Sequence, residues 1–336
     1  MGRDRRQFIA LGGLGLAVGS AAMLPVAVSA QGAPSGAIPG LLDGFLALPG
    51  VKSAQVDVDD RQRPWRVGHA ADASLFCGSC FKTFVLATYL REVEAGRLAL
   101  DEELAIDNRY RSTGGNVFEH LTGTTPARIV LEAMIAHSDN TATDVAMRRV
   151  GVDKVRAFIA ESGLAGARIP DSTRRFFSYI AGYPPGVDMG IEGIRAMAAD
   201  KPGPGPARDA LNEVMTMACQ AATFVDYYKR ALAGAFFAKK ATLVEFKRIL
   251  AMADSIAQVV PTDTPAYMKG GSIDWKGFHC MAAAGQMIVR GTPVTFCLNL
   301  NWRDSDGDAA KITAAYKAAA VDVLARINAE LLKGST

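Results

Sequence analysis

Leu75-Phe76-Cys77-Gly78-Ser79-Cys80-Phe81-Lys82 sets a serine three residues ahead of a lysine at the head of a long apolar run. From Phe81 to Ala95 the apolar positions recur with helical period, and the run stops at Gly96, a residue suited to the left-handed conformation in which helices end. Residues three apart on a helix share a face, so this spacing puts Ser79 and Lys82 together. A serine hydroxyl is a poor nucleophile until a base takes its proton, and an amine desolvated among Phe and Leu side chains can be that base. Ser-x-x-Lys also arises by chance in chains of this length, so the pair needs partners elsewhere.

Two further stretches supply them. Ser138-Asp139-Asn140 follows an apolar helical segment and opens the next, 59 residues after Ser79. Lys269-Gly270-Gly271-Ser272 stands near a strand edge. Taken singly, the first reads as a helix cap and the second as a hairpin turn. In this order, behind an export signal, the three form a specific combination.

The rest of the chain fits around them. Ile38, Leu41, Leu42, Phe45 and Leu46 predict a short first helix. Val51 to Val58 alternates apolar and polar residues as a half-buried strand does, a turn follows over 59–64, and Trp65 to Ala70 reads as its hairpin partner. Helical period dominates from Phe81 to about Leu250, most clearly over 81–95, 125–136, 140–150, 153–162 and 223–234. Beyond Pro265 come two strands, Tyr267 to Ser272 and Cys280 to Arg290, joined by Asp274-Trp-Lys-Gly277, then a third from Val294 to Trp302. An amphipathic helix over about 309–332 closes the chain.

Strands from both ends of the chain can then join one sheet. The expected fold class is α+β: a five-stranded antiparallel sheet flanked by terminal helices, with an all-helical second lobe. The α/β lobe would take in about 31–76 and 262–336, the helical lobe about 77–261, as one catalytic unit with the site in the cleft between them.

Residues 1–30 read as an address, not as fold. Asp4-Arg5-Arg6-Gln-Phe-Ile-Ala is a twin-arginine pattern ahead of an apolar, glycine-rich run from Leu11 to Leu24 and a small-residue cleavage site at Val28-Ser29-Ala30. The run is shorter than a spanning helix needs, and four glycines interrupt it, so cleavage after Ala30 is expected, with no stable membrane anchor afterwards and a periplasmic or secreted mature protein. Cleavage would remove three arginines and one aspartate and lower the formal net charge from +3 to +1. A near-neutral chain argues against nucleic acid as a partner. With 49% hydrophobic residues the remainder can bury a sizeable core. Five cysteines, Cys77, Cys80, Cys219, Cys280 and Cys297, leave at least one thiol free or paired between molecules. Cys77 and Cys80 bracket Ser79 as Cys-x-x-Cys, yet without a second cysteine pair or a nearby histidine the pattern carries no metal expectation.

With its Ser-x-x-Lys box at 79–82, the run from Arg91 to Asp101, Ser-Asp-Asn at 138–140 and Lys-x-Gly at 269–271, the chain resembles the penicillin-recognising serine hydrolases, most closely the class A β-lactamases. The resemblance implies a small-molecule β-lactam or related amide substrate and no cofactor. It implies that Ser79 attacks the carbonyl to form an acyl-enzyme, Lys82 takes its proton and Ser138 relays a proton to the leaving nitrogen. Lys269 would hold Ser138 and attract the substrate carboxylate, Asn140 would bind the substrate amide and touch Lys82, and Asp139 would be structural. The backbone amides of Ser79 and Ser272, beside Gly271, would form the oxyanion hole.

The family pattern breaks in two places. Class A enzymes carry a Glu-x-x-Leu-Asn motif whose glutamate activates the deacylating water. The equivalent region here, Ile169 to Ala181, has Thr173-Arg174 resembling the start of that loop but no such acid, and a longer segment, 182–222, follows. Asp188 and Glu192 are the acids that this segment could return to the site. The second break is on the substrate side: Gly270 replaces the usual Thr or Ser and removes a hydroxyl, which Ser272 could supply. His279 stands near the place of the arginine that often grips the substrate carboxylate. Gly78 and Ile273 exclude the disulfide known from carbapenem-hydrolysing relatives. Two rivals remain, a penicillin-binding carboxypeptidase or other amide or ester hydrolase, and a non-catalytic β-lactam-binding protein.

Overall fold

The protein is described by a computed structural model over residues 38–114 and 117–333. It opens with α1 (Asp43–Leu46), β1 (Val51–Val58), β2 (Trp65–His69) and the short β3 (Ser74–Phe76). A 3₁₀ turn over Gly78–Phe81 leads into α2 (Lys82–Glu94). Then follow β4 (Glu103–Ile106), β5 (Gly123–Pro126), α3 (Ala127–Ala136), α4 (Asn140–Val150), α5 (Val152–Glu161), α6 (Thr173–Ile180) and α7 (Gly190–Ala198). β6 (Ala218–Gln220), α8 (Ala221–Leu232), α9 (Lys240–Leu250) and α10 (Ile256–Val259) complete the helical part, and β7 (Ala266–Trp275), β8 (Phe278–Val289), β9 (Thr292–Arg303) and α11 (Ala309–Lys333) end the chain.

The five longest strands form one antiparallel sheet in the order β2-β1-β9-β8-β7. The two C-terminal hairpins close with two residues each. Lys276-Gly277 and Arg290-Gly291 have positive φ throughout, 44° and 76° in the first, 49° and 82° in the second. Two consecutive left-handed residues match the twist of the flanking strands, and they fix the register Trp275↔Phe278 and Val289↔Thr292. β1 then pairs with β9 from Val51↔Asn301 to Val58↔Val294, so the two ends of the chain meet in the middle of the sheet and β7 is left at its edge.

Each face of the sheet is covered. On one face α1 and α11 pack Phe45, Tyr316, Val323 and Leu324 against Val56, Phe296 and Leu298. On the other, α2 and α8 bring Phe84, Phe224 and Tyr227 into a core with Cys280, Ala282 and Cys297. Each large apolar side chain so buried contributes about 1.5–3 kcal/mol. Ten of the thirteen residues of α2 are buried, which makes it the central helix of its part and explains why its sequence is apolar nearly all round.

The expected α+β architecture is therefore present, with local differences. The first helix is reduced to one turn, because Gly40 at φ 61° starts a separate turn before it. α6 is only eight residues long and lies outside the clearest helical segments of the sequence. Its start is set by Ser172, whose Oγ accepts from the amide of Arg175 at 3.0 Å. The twin-arginine segment and its cleavage site lie outside the described residues. Among the described residues no helix is long and apolar enough to cross a membrane.

Candidate active site

Ser79 sits on the 3₁₀ turn between β3 and α2, and the edge strand β7 lies directly on that turn. Two glycines make the approach possible. A Cβ on Gly271 would collide with the carbonyl oxygen of Cys77 and lie 2.8 Å from the amide nitrogen of Ser79. A Cβ on Gly78, at φ 50°, would lie 2.7 Å from the amide nitrogen of Ser272. The amides of Ser79 and Ser272 thus flank one seam where backbone meets backbone.

One helical position into α2, Lys82 is fully buried. Its Nζ donates to the carbonyl oxygen of Ser138 at 2.6 Å, to Ser138 Oγ at 3.3 Å and to Asn140 Oδ1 at 2.7 Å. Burial pulls the Lys82 ammonium well below the ordinary lysine range; the like charge of Lys269 acts in the same direction, and Asp139 and Asp144 oppose it. Burial thus makes the Lys82 proton easier to lose than that of an exposed lysine. Among the described hydrogen bonds none joins Lys82 to Ser79 Oγ, a contact that free enzymes often complete only with substrate bound.

Ser138 has φ 57°, a left-handed conformation that costs a residue with a side chain of order 1–2 kcal/mol. This turn points its carbonyl at Lys82. Asp139 locks it from behind: fully buried, it accepts from the amide of Ala142 at 2.8 Å to cap α4, and from those of Val117 and Phe118 at 3.1 and 2.9 Å. Asn140 donates through Nδ2 to the carbonyl of Thr113 at 2.7 Å, which orients its Oδ1 toward Lys82. Lys82, Ser138 and Asn140 are therefore one hydrogen-bonded unit.

Lys269 is also buried, and burial brings its ammonium down to about 8. It lines a cavity of about 200 Å³ with Ser138, Gly270, Gly271 and Ser272. Its expected bond to Ser138 is not what the structure records: Lys269 Nζ donates to the carbonyl of Gly270 at 2.8 Å. All five cysteines are free and buried. Burial pushes the Cys77 thiol well up and the Cys80 thiol up to about 12, so at neutral pH the pair bracketing Ser79 does not compete with it as thiolate nucleophiles.

The loop side of the site is different. Asp188 pairs with the largely buried Arg174 at 2.6 Å, and the same guanidinium donates to the carbonyls of Asn108, Arg109 and Arg111. Glu192 pairs with Arg195 on the exposed side of α7, and both side chains are mostly in solvent. Neither candidate acid is unpaired in this structure: Asp188 is the counter-ion of Arg174, and Glu192 faces water beside Arg195. Two residues beyond Arg174 the chain presents Phe176, fully buried and stacked on Phe76 with ring centroids 5.7 Å apart. Arg175 lies beside Asp171 at 3.7 Å. The long segment after α6 ties the end of that helix to the β7–β8 hairpin: Trp275 Nε1 donates to the carbonyl of Arg208 at 3.0 Å, and Lys276 pairs with Asp200 at 2.6 Å. His279 is held between Asp304 at 2.7 Å and Asp274 at 3.4 Å and stacked on Trp302, so it does not take the place of a carboxylate-gripping arginine.

A buried acid missing from the sequence reading is Asp144, one turn after Asn140 on α4. It accepts the amides of Thr173 at 2.6 Å and Arg174 at 3.0 Å, and burial raises its carboxyl to about 6. With both oxygens engaged it anchors α6 beneath the site. Ser112 and Thr113 were equally unmarked. They act through Thr173 Oγ1, which donates to Ser112 Oγ at 2.9 Å, and through the carbonyl that holds Asn140. Spacing from Asn140 could have pointed to Asp144; nothing local marks the other two.

The chain and its fold have known counterparts. The sequence profile of a family described as the β-lactamase enzyme family matches residues 49–226, more than half the chain. The chain belongs to the β-lactamase enzyme family. As a member it is a class A-like serine hydrolase acting on a small-molecule substrate, and its described fold agrees. A β-lactamase from Xanthomonas campestris pv. campestris is similar over 85% of this chain and 96% of its own, at 18% identity and a TM-score of 0.65. One from Sphaerobacter thermophilus is similar over 87% and 96%, at 17% identity and 0.66. A PBP-A variant solved as an acyl-enzyme with penicillin G is similar over 86% and 94%, at 13% identity and 0.63. At these identities the likeness is one of fold. No curated protein matches the chain in sequence.

Proposed function

We propose that this family member is an exported serine hydrolase that opens the β-lactam ring by acylation at Ser79 and clears the acyl-enzyme slowly. The observation that carries this reading is the buried Lys82 amine, three residues from Ser79 and bonded to Ser138 and Asn140, whose ammonium burial makes easier to deprotonate. Ser79 Oγ gives its proton to Lys82 Nζ as the Oγ–C bond forms. The lactam C–N bond breaks, and the nitrogen receives a proton through Ser138 Oγ. The amides of Ser79 and Ser272 stabilise the oxyanion between these steps.

Slow deacylation follows from the occupation of Asp188 and Glu192 elsewhere, since loss of a positioned general base lowers a rate about 10²- to 10⁴-fold. Incubation with a chromogenic cephalosporin, followed by intact mass, tests both halves. A burst of one adduct per chain and then slow turnover is expected; no adduct and no turnover, with Ser79→Ala behaving as the parent, would refute the assignment. The same occupation of the acids favours a second reading, a penicillin-binding carboxypeptidase. Turnover of a D-Ala-D-Ala peptide alongside permanent acylation by β-lactams would select it, and permanent acylation with no peptide turnover would select a binding protein. Export rests on the twin-arginine pattern at Arg5-Arg6 and the cleavage site at Ala30. Sequencing the mature N-terminus tests it, and cytosolic protein retaining Met1 would remove it.

A further inference from the structure

Gly270 leaves a space on β7 that another part of the chain enters. A Cβ built on Gly270 would stand 2.9 Å from the Cβ of Ser255 and 3.2 Å from its Oγ, so the Ser255 side chain occupies the room that a side chain at 270 would need. Ser255 precedes α10, whose first turn its hydroxyl does not cap. The loop is held toward the site by Asp254, whose amide donates at 3.0 Å to the carbonyl of Ala136, two residues before Ser138.

Ser255 Oγ is buried and, among the described residues, has no hydrogen-bond partner. A buried hydroxyl without a partner is unfavourable, and such orphans recur where a ligand completes the bonding. Ser255 lines the 200 Å³ cavity that also holds Ser138, Lys269 and Ser272. The charges around it are the Lys269 and Lys317 ammonium groups and one carboxylate, Asp254, a balance that favours an anion.

We propose that Ser255 Oγ donates a hydrogen bond to the anionic group of the substrate, from the place that a side chain at 270 would take and in the cavity that Lys269 also lines. Ser255 is then a specificity residue, 15 positions before the Gly270 of the Lys-x-Gly box it completes. This rests on the assignment of Ser79 as the acylated nucleophile.

The test compares acylation of the full chain by benzylpenicillin and by its methyl ester, which lacks the carboxylate charge, with second-order constants from intact mass. Ser255→Ala is expected to lose about ten-fold on the carboxylate compound, as for a hydrogen bond to a charged group, and less than about two-fold on the ester. Gly270→Ser, whose Cβ collides with Ser255, is expected to be slow on both compounds, and the double variant Ser255→Gly with Gly270→Ser to recover carboxylate acylation to within about three-fold of the parent. A purely structural role for Ser255 would lower both compounds alike. An equal loss on both, no loss, or a selective loss in Ser272→Ala but not in Ser255→Ala would overturn the assignment and leave Ser79 untouched. Failure of the parent to acylate at all would overturn both.

Discussion

The two walls that meet at Ser79 are built to different ends. On the β7 and α4 side, Lys82, Ser138, Asn140 and Lys269 are held in place with their polar atoms turned inward, and burial keeps both amines below the ordinary lysine range. On the α6 and α7 side the acids serve the fold: Asp144 reaches from α4 to hold the start of α6, Asp188 neutralises Arg174, and Glu192 pairs in solvent with Arg195. Pre-organisation lowers a barrier only for the step whose charges it faces. The difference teaches that one fold can keep the machinery of acyl transfer while its other wall is given over to holding a loop.

The largest effect that can break this comparison is on the first wall. Ser79→Ala is expected to abolish the covalent adduct, and Lys82→Ala to slow acylation about 10²- to 10⁴-fold, both read by intact mass. Should Lys82→Ala acylate within a few-fold of the parent, the base lies elsewhere and the contrast between the walls is lost.

Next in size is the pH profile of acylation. The base must be neutral, so the rate rises as Lys82 loses its proton, below the ordinary lysine range. Lys269 must be charged to attract a carboxylate, so the rate falls as pH passes about 8. The expected profile is a bell whose limbs belong to the coupled pair. Lys269→Arg keeps its charge at every accessible pH and should remove the falling limb. Lys269→Met removes the like charge beside Lys82 and should move the rising limb to higher pH. A falling limb that survives Lys269→Arg would assign it to another group.

The first wall was legible in the sequence because its chemistry is local: Ser79 and Lys82 share a helical face, Ser138 and Asn140 share one turn, and Lys269 and Gly271 share a strand. The sheet was legible for a similar reason, since period-two runs and Lys-Gly and Arg-Gly pairs mark hairpins without knowledge of the rest. The second wall was not. α6 is only eight residues long, too short a window for its period to stand out, and the roles of Asp188 and Glu192 depend on where Arg174 and Arg195 point. Ser255 was invisible for the same cause, since its meaning lies in what is absent at Gly270, which only contact across the cavity reveals.

A smaller effect distinguishes structure from catalysis at Asp188. Its removal leaves the Arg174 side chain, 8% exposed, without its carboxylate but still bonded to three carbonyls. Asp188→Asn is expected to cost about 1–2 kcal/mol by denaturant unfolding, and to change deacylation of a preformed adduct less than three-fold. An unchanged stability with deacylation slowed ten-fold or more would make Asp188 the base after all.

The smallest effect is the sharpest for the comparison. Glu192 and Arg195 lie three residues apart on α7 with side chains 79% and 63% exposed, so water screens the pair and a bond of 2.6 Å contributes little. Glu192→Gln is therefore expected to shift stability by less than about 0.5 kcal/mol and to leave both acylation and deacylation at parent values. The same reasoning makes any kinetic effect diagnostic. Removing an exposed glutamate can slow water attack on the Ser79 ester only if α7 turns inward once the site is acylated, so a ten-fold loss confined to deacylation would show that the second wall rearranges to supply the base that the free enzyme keeps in solvent.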